Sequence, residues 1–332
     1  MKWDMISSSV QGRGHIREGI PCQDKTASVC LDDCHVIALA DGAGSACLSH
    51  EGAACAARVM CDCLSRDFDR FFATQNAAEV RVELLELLQK ELCALADQFE
   101  ARLQDFASTL LLAAVKDDRY ILLHLGDGLI AYRKQGEILP ASLPSNGEYV
   151  NSTTFTTSTQ AFYSMRMLKG YLGEIEGFVL LSDGCCASLF DREKQRPAPV
   201  LGWLMDLCTF LPPEVVESGL TESLETEVCS ATDDDCSIAL LVRRPSEDAA
   251  PFARLAFLEK VSGLAAAEPQ MRRRLRVYLL VLAALERPGH LQSIVPLVHR
   301  KRAHLLKKIR FLQDAQLVDR LPDGRYVSLM RL

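Results

Sequence analysis

Three apolar runs in this chain each end in Asp-Gly: Val36 to Asp41-Gly42, Leu122 to Asp127-Gly128 and Val179 to Asp183-Gly184. A short apolar run bounded by turn residues reads as a buried strand. Glycine after the aspartate carries no Cβ, so backbone can approach a ligand closely there. One such ending is only a turn, because aspartate readily bonds its neighbouring backbone. Three of them, joined by Gln23-Asp24-Lys25 and Asp233-Asp234-Asp235, predict carboxylates delivered to one place. If the strands lie side by side, Asp24, Asp41, Asp127, Asp183 and Asp234 share an acidic pit. Uncompensated carboxylates raise one another's pKa, so such a pit demands cations. Oxygen-only ligation selects Mg²⁺ or Mn²⁺ over zinc or copper.

The rest of the composition is that of a globular chain: 48% of the 332 residues are hydrophobic and 24% charged. No apolar run reaches the length of a membrane span, and the N-terminal MKWDMISSS lacks the apolar core of a signal peptide. Thirteen cysteines lie mostly within apolar runs, which predicts free thiols and a reducing, cytoplasmic setting. The charge is uneven. Residues 270–332 carry fourteen Lys/Arg against four Asp/Glu, about +10, and the remainder is about −17. An acidic body with a basic tail predicts two modules with different partners.

Along the chain, strands are expected at 3–9, 25–31 and 35–41, with 10–23 a glycine-containing loop. Helices are expected at 49–68 and 76–104. Strands return between 107 and 139. Residues 140–160 read as a Ser/Thr-rich flap, followed by strands at 161–168 and 177–182, helices at 199–211 and 213–228, and a last strand at 237–243. The expected division is 1–243 as one domain, 244–253 as a Pro- and Ala-containing linker, and 254–332 as a second domain.

The order QDK (23–25), ADGAGS (40–45), LGDG (125–128), LSDG (181–184) and DDCS (234–237) resembles the metal-dependent protein phosphatase 2C family, its shorter bacterial branch in particular. The resemblance covers roughly residues 5–243. It implies an α/β sandwich, two mostly antiparallel sheets flanked by helices. It implies hydrolysis of phosphoserine or phosphothreonine by direct attack of a water bridging two ions. Asp41 would then bridge two Mn²⁺ or Mg²⁺ ions, with the Gly42 carbonyl helping through water. Asp183 and Asp234 would hold the first ion, Asp24 would support the second through water, and Asp127 would go with a weaker third. The flap would border the site and govern substrate choice. The family's phosphate-gripping arginine has no exact counterpart, since position 19 is glycine; Arg13, His15 and Arg17 are the candidates nearby. The substrate would be a protein phosphorylated by a Ser/Thr kinase.

Competing patterns are weaker. The Cys30/Cys34 and Cys61/Cys63 pairs have no second pair at zinc spacing. DGAGS lacks the spacing of a dinucleotide or nucleotide-phosphate loop. The rival reading is a non-enzymatic pseudophosphatase sensor that regulates transcription through a C-terminal DNA-binding domain. Retention of all five aspartates favours the enzyme. After the linker, three helices and a Pro-Asp-Gly hairpin resemble a winged helix-turn-helix. Lys301, Arg302, Lys307, Lys308 and Arg325 are its candidate contacts to DNA or to a protein partner, with a protein-interaction or autoregulatory role ranked slightly ahead. No membrane association is expected.

Overall fold

Every residue of Cys34–Ala40 is buried. A strand buried on both faces needs cover on both, and alternation decides which side chain goes where. Val36, Ala38 and Ala40 join a core built with helices, whereas Ile37 and Leu39 join the core of a sandwich between two sheets. The computed structural model describes residues 2–145, 153–263, 269–298 and 301–331. It divides into two units, residues 1–205 with 217–243 and residues 206–216 with 244–332.

In the first unit, the elements up to the flap are β1 (Trp3–Val10), α1 (Arg13–Glu18), β2 (Lys25–Leu31), β3 (Cys34–Ala40), α2 (Ser49–Ala73), α3 (Ala77–Gln98), β4 (Leu110–Lys116), β5 (Arg119–Leu125), β6 (Leu129–Lys134) and β7 (Glu137–Ser142). Then come α4 (Ala161–Ser164), β8 (Arg166–Tyr171), β9 (Ile175–Leu181), α5 (Asp183–Leu189), the short pair β10 (Phe190–Asp191) and β11 (Arg196–Pro197), α6 (Val200–Phe210) and α7 (Pro213–Ser223), of which residues 206–216 belong to the second unit, and β12 (Cys236–Arg243). One sheet runs β2-β3-β4-β5-β8 and the other β1-β12-β9-β6-β7, each antiparallel throughout.

The two sheets enclose Trp3, Ile37, Leu39, Leu111, Val115, Phe178, Leu180 and Leu241 between them. On the outer face of the first sheet, α2 and α3 bury Met60, Leu64, Phe68, Leu84, Leu88 and Leu92. The apolar spacing of Leu85, Leu88, Leu92 and Ala96 supplies the α3 stripe. Against the second sheet, Arg133 of β6 donates to the Gly202 carbonyl of α6 at 3.1 Å, and a Cβ on Gly177 of β9 would stand 2.6 Å from Met205. The layering is therefore helix, sheet, sheet, helix, as expected from sequence.

Several local expectations change. The loop 10–23 contains the helical turn α1, closed by Gly19 in the left-handed conformation with its N–H on the Ile16 carbonyl. The strand expected at 161–168 begins only at Arg166, because 161–164 form one helical turn. Of the flap, residues 146–152 lie outside the described residues. All thirteen cysteines are free thiols.

The second unit contains α8 (Ala250–Ser262), α9 (Pro269–Ala284), α10 (Leu291–Val298), α11 (Arg302–Asp314) and the antiparallel pair β13 (Val318–Arg320) and β14 (Tyr326–Ser328). Helix α8 takes up the last residues of the stretch read as linker, with a proline in its first turn where no N–H is required. Leu305, Ile309 and Leu312 are the buried stripe of α11. Among the described residues, no helix is long and apolar enough to cross a membrane.

Candidate metal centre

The acidic cluster is built by three strand tips. At the end of β3, the Asp41 N–H donates to the Thr109 hydroxyl at 2.9 Å, and the Asp41 carbonyl accepts from the Thr109 N–H at 2.7 Å. Gly42 passes so close to the start of α2 that a Cβ would meet Ser49 at 2.8 Å. At the end of β5, Gly126 turns the chain with φ +117°, a conformation that favours glycine, and delivers Asp127. His124 braces this turn: its Nε2 stands 3.1 Å from the Gly126 carbonyl and its Nδ1 2.9 Å from the Ser142 hydroxyl. Burial, with Arg166 beside it, pushes the His124 pKa down to about 3, so the ring is neutral and structural at any working pH. At the end of β9, Ser182 precedes α5 and Asp183 is the first residue of that helix.

One carboxylate oxygen each of Asp41, Asp127 and Asp183 lies within 4.8 Å of the others. An octahedral Mg²⁺ or Mn²⁺ with oxygens at about 2.1 Å sets its ligands about 3 to 4.2 Å apart, so a small inward movement closes this set. Asp183 Oδ1 and Asp24 Oδ2 are buried without a hydrogen-bond partner. A buried carboxylate oxygen left unsatisfied is costly, and a hard cation is the partner that fits. In this trio Asp127 stands with Asp41 and Asp183. Asp24 and Asp234 flank the trio closely enough that their charges act on Asp41.

Asp41, Asp24, Asp183 and Asp234 are displaced in the same direction. Burial holds the Asp41 carboxyl well above the usual carboxylate range, and Asp24, Asp183 and Asp234 add to it. Asp24 is likewise raised well above that range by burial, with Asp235 and Asp183 contributing. Burial and then Asp234 push Asp183 up to about 6, and Asp234 is raised by burial and by Asp235.

The sign of the linkage follows. A carboxyl whose pKa is higher folded than unfolded binds protons preferentially in the folded state. Its stabilising contribution is full below the unfolded value of about 3.9 and is lost as pH rises through the folded value. The chelated chain should therefore melt at a lower temperature at pH 7 than at pH 5, and Mn²⁺ or Mg²⁺ should recover the difference at pH 7. A melting temperature of the chelated chain that rises from pH 5 to pH 7 would contradict this.

A sixth aspartate has a different task, one the sequence reading missed. Asp235 is buried; its Oδ1 accepts the Gly12 N–H and its Oδ2 the Gln23 N–H, both at 2.6 Å, and His15 Nδ1 lies 2.9 Å from Oδ1. Gly14 N–H donates to the Asp233 carbonyl at 2.9 Å. A Cβ on Gly12 would stand 2.3 Å from the Asp234 carbonyl carbon, and one on Gly184 2.2 Å from the Asp235 carbonyl oxygen. Glycines thus let three segments lie against each other, and Asp235 ties them. The only sequence signal was the run of three aspartates, which could not say which one turns inward.

The three phosphate-binding candidates all reach the same 230–235 segment. Arg13 donates to the carbonyls of Ser230 at 2.8 Å and Thr232 at 3.3 Å, Arg17 lies 3.2 Å from Asp233 Oδ1, and His15 faces Asp235. The described part of the flap touches the cluster: Thr153 Oγ1 donates to Asp127 Oδ2 at 2.5 Å, and Thr156 N–H donates to the Ser108 carbonyl at 2.8 Å.

Residues 11–225 match the profile of the family described as protein phosphatase 2C. Serine/threonine-protein phosphatase 3 of Escherichia coli (strain K12) is 29% identical over 258 residues, which are 72% of this chain and 98% of that protein. Among solved structures, a bacterial serine phosphatase superposes with a TM-score of 0.53 at 10% identity, covering 74% of this chain and 100% of its own. The serine/threonine phosphatase Stp1 of Staphylococcus aureus superposes with a TM-score of 0.51 at 12% identity, covering 74% and 96%. The two structural likenesses are likenesses of fold.

Proposed function

Since the chain belongs to the protein phosphatase 2C family, we propose that its acidic cluster is the active site of a metal-dependent phosphatase acting on phosphoserine and phosphothreonine in proteins. The observation that carries this is the meeting of Asp41, Asp127 and Asp183 oxygens from three different strand tips, with buried carboxylate oxygens beside them left unpaired. Asp41, Asp127 and Asp183, flanked by Asp24 and Asp234, would hold Mn²⁺ or Mg²⁺, with the Gly42 carbonyl adjoining Asp41. Bound there, such ions lower the pKa of water and neutralise phosphate charge.

The protein's own residues do the rest. The β3, β5 and β9 tips fix the carboxylates before substrate arrives, so little ordering is left for the reaction. Asp235 keeps the Gly12–Gln23 loop and the Asp234 segment in register. Thr153 engages one oxygen of Asp127 and so restricts how that carboxylate turns. The flap segment beside it is suited to contact the protein part of a substrate. Arg13, His15 and Arg17 sit at the rim formed by the 230–235 loop, where a phosphorylated segment would approach.

Residues 1–243 form the catalytic domain in this reading, and 254–332 a separate module of winged-helix type with a protein-interaction or autoregulatory role. The substrates are products of Ser/Thr kinases, and the setting is cytoplasmic. The rival reading of a non-enzymatic sensor is disfavoured because every carboxylate of the cluster is present. The test is hydrolysis of a phosphothreonine peptide and of p-nitrophenyl phosphate. Exhaustive chelation should abolish both activities and added Mn²⁺ or Mg²⁺ should restore them. Hydrolysis that survives chelation overturns the proposal, and absence of hydrolysis with either ion favours the sensor.

A further inference from the structure

The second unit carries a cavity of about 400 Å³ lined by Arg273, Arg274, Val277, Lys301, His304 and Lys308. Two helices build it. Helix α9 supplies Arg273, Arg274 and, one turn on, Val277. Helix α11 supplies His304 and Lys308 four residues apart on one face, with Lys301 at its N-cap. Among the described residues, four of the six lining side chains are arginine or lysine, and no Asp or Glu lines the cavity.

The arrangement is rigid underneath. Lys308 Nζ lies 4.2 Å from the centre of the Tyr278 ring, and that ring packs on Phe311 with centroids 4.8 Å apart. Leu305, Ile309 and Leu312 anchor α11 from the other side. The ring contact favours the Lys308 amine staying at the cavity wall. Burial, followed by Arg274 and Lys307, lowers its pKa from the ordinary lysine value. Like charges gathered in a concave, partly desolvated place repel, and an anion relieves that repulsion.

Size and charge narrow the ligand. Cavities of this volume take small molecules, whereas a duplex presents an extended row of charges about 1.7 Å apart along its axis. A single phosphate monoester brings at most about two negative charges, so four such side chains suit two or more linked phosphates better than one. We propose that the cleft between α9 and α11 is a binding site for a small molecule carrying a run of phosphates, held by Arg273, Arg274, Lys301 and Lys308. The site lies wholly within the second unit, so it stands whether or not the first unit is a phosphatase.

The experiment is calorimetric titration of the full chain, kept in chelator so that the acidic cluster holds no ion and repels anions. Tripolyphosphate should bind once per chain and about tenfold or more tighter than orthophosphate. Arg273→Gln and Lys301→Gln should each weaken it about tenfold, as loss of a charge-assisted hydrogen bond does, while Asp41→Asn should leave it unchanged. Lys308→Met, which keeps the stem over Tyr278, should weaken binding similarly and raise the melting temperature of the unliganded chain. Should that variant fail to fold, the two glutamine variants decide. No binding of tripolyphosphate, binding that those variants do not change, or equal affinity for orthophosphate overturns the proposal. So does tighter binding of a 20-base-pair duplex than of tripolyphosphate, which would make the cleft part of a nucleic-acid surface.

Discussion

Asp41→Asn should lower turnover on p-nitrophenyl phosphate by about three orders of magnitude or more, because this residue stands at the meeting point of the cluster and loss of its charge weakens every ion held there. The same change should make the chelated chain more stable. Asp41 is part of a destabilising arrangement in the absence of cations: burial and the charges of Asp24, Asp183 and Asp234 all oppose its ionisation. Asparagine removes that charge at nearly constant volume. A gain of about 1 kcal/mol, roughly 2–4 °C in melting temperature for a domain of this size, is the expected scale. Asp127→Asn should cost turnover less, about tenfold to a hundredfold, since one of its oxygens is already occupied by Thr153. Steady-state kinetics with metal titration, beside thermal melts in chelator, measure both effects. Wild-type turnover in Asp41→Asn, or a melt that falls in chelator, would remove Asp41 from its assigned place.

The second large effect is on folding, at Asp235. Its carboxylate accepts from two buried backbone N–H groups and faces His15. In Asp235→Asn the side chain offers only one acceptor oxygen and turns an amide N–H toward the other donor. One backbone N–H is then buried unsatisfied, at about 1–3 kcal/mol, and the charge-assisted character of the remaining bond is lost. A total of about 3–5 kcal/mol, the range for breaking a buried charged network, is the expected destabilisation. Metal affinity should fall with it, because Asp234 adjoins Asp235 and Asp24 adjoins Gln23. Urea unfolding at pH 7 reads the first effect and Mn²⁺ titration the second. An Asp235→Asn chain within about 0.5 kcal/mol of wild type would show that the tie between the segments is dispensable.

How much of this could be read from sequence depends on whether a residue's role is local. The strand tips at Asp41, Asp127 and Asp183 were legible because an apolar run stopped by Asp-Gly has few other uses. The helices α2 and α3 were legible from apolar spacing. Asp235 was not, because its partners lie more than two hundred residues away and nothing near it in the chain distinguishes it from Asp233 or Asp234. The turn α1 was hidden by its length, since six residues with glycines at each end carry too little periodicity to register. The start of β8 was missed for a related reason: Ala161 to Ser164 are compatible with strand or helix, and the backbone hydrogen bond from the Met165 N–H to the Ala161 carbonyl at 2.8 Å decides it. Which carboxylates share oxygens within one ion's reach is a matter of ångströms, and order along the chain does not encode it.

Strand β12 has a consequence for the history of each molecule as it is made. It is the last strand of the first unit in the chain, yet it lies between β1 and β9, pairing Trp3 with Arg243 and Ile238 with Leu181. Asp234 and Asp235 come immediately before it. Until that segment leaves the ribosome, β1 has no neighbour in its sheet, Gly12 and Gln23 have no acceptor, and the cluster lacks one of its flanking carboxylates. A nascent chain cannot acquire the centre piece by piece; it must wait with an open sheet edge until Arg243 has been synthesised. Folding of the first unit is thus timed by its final strand, and a truncation before residue 236 should leave a chain with an unpaired edge, prone to association.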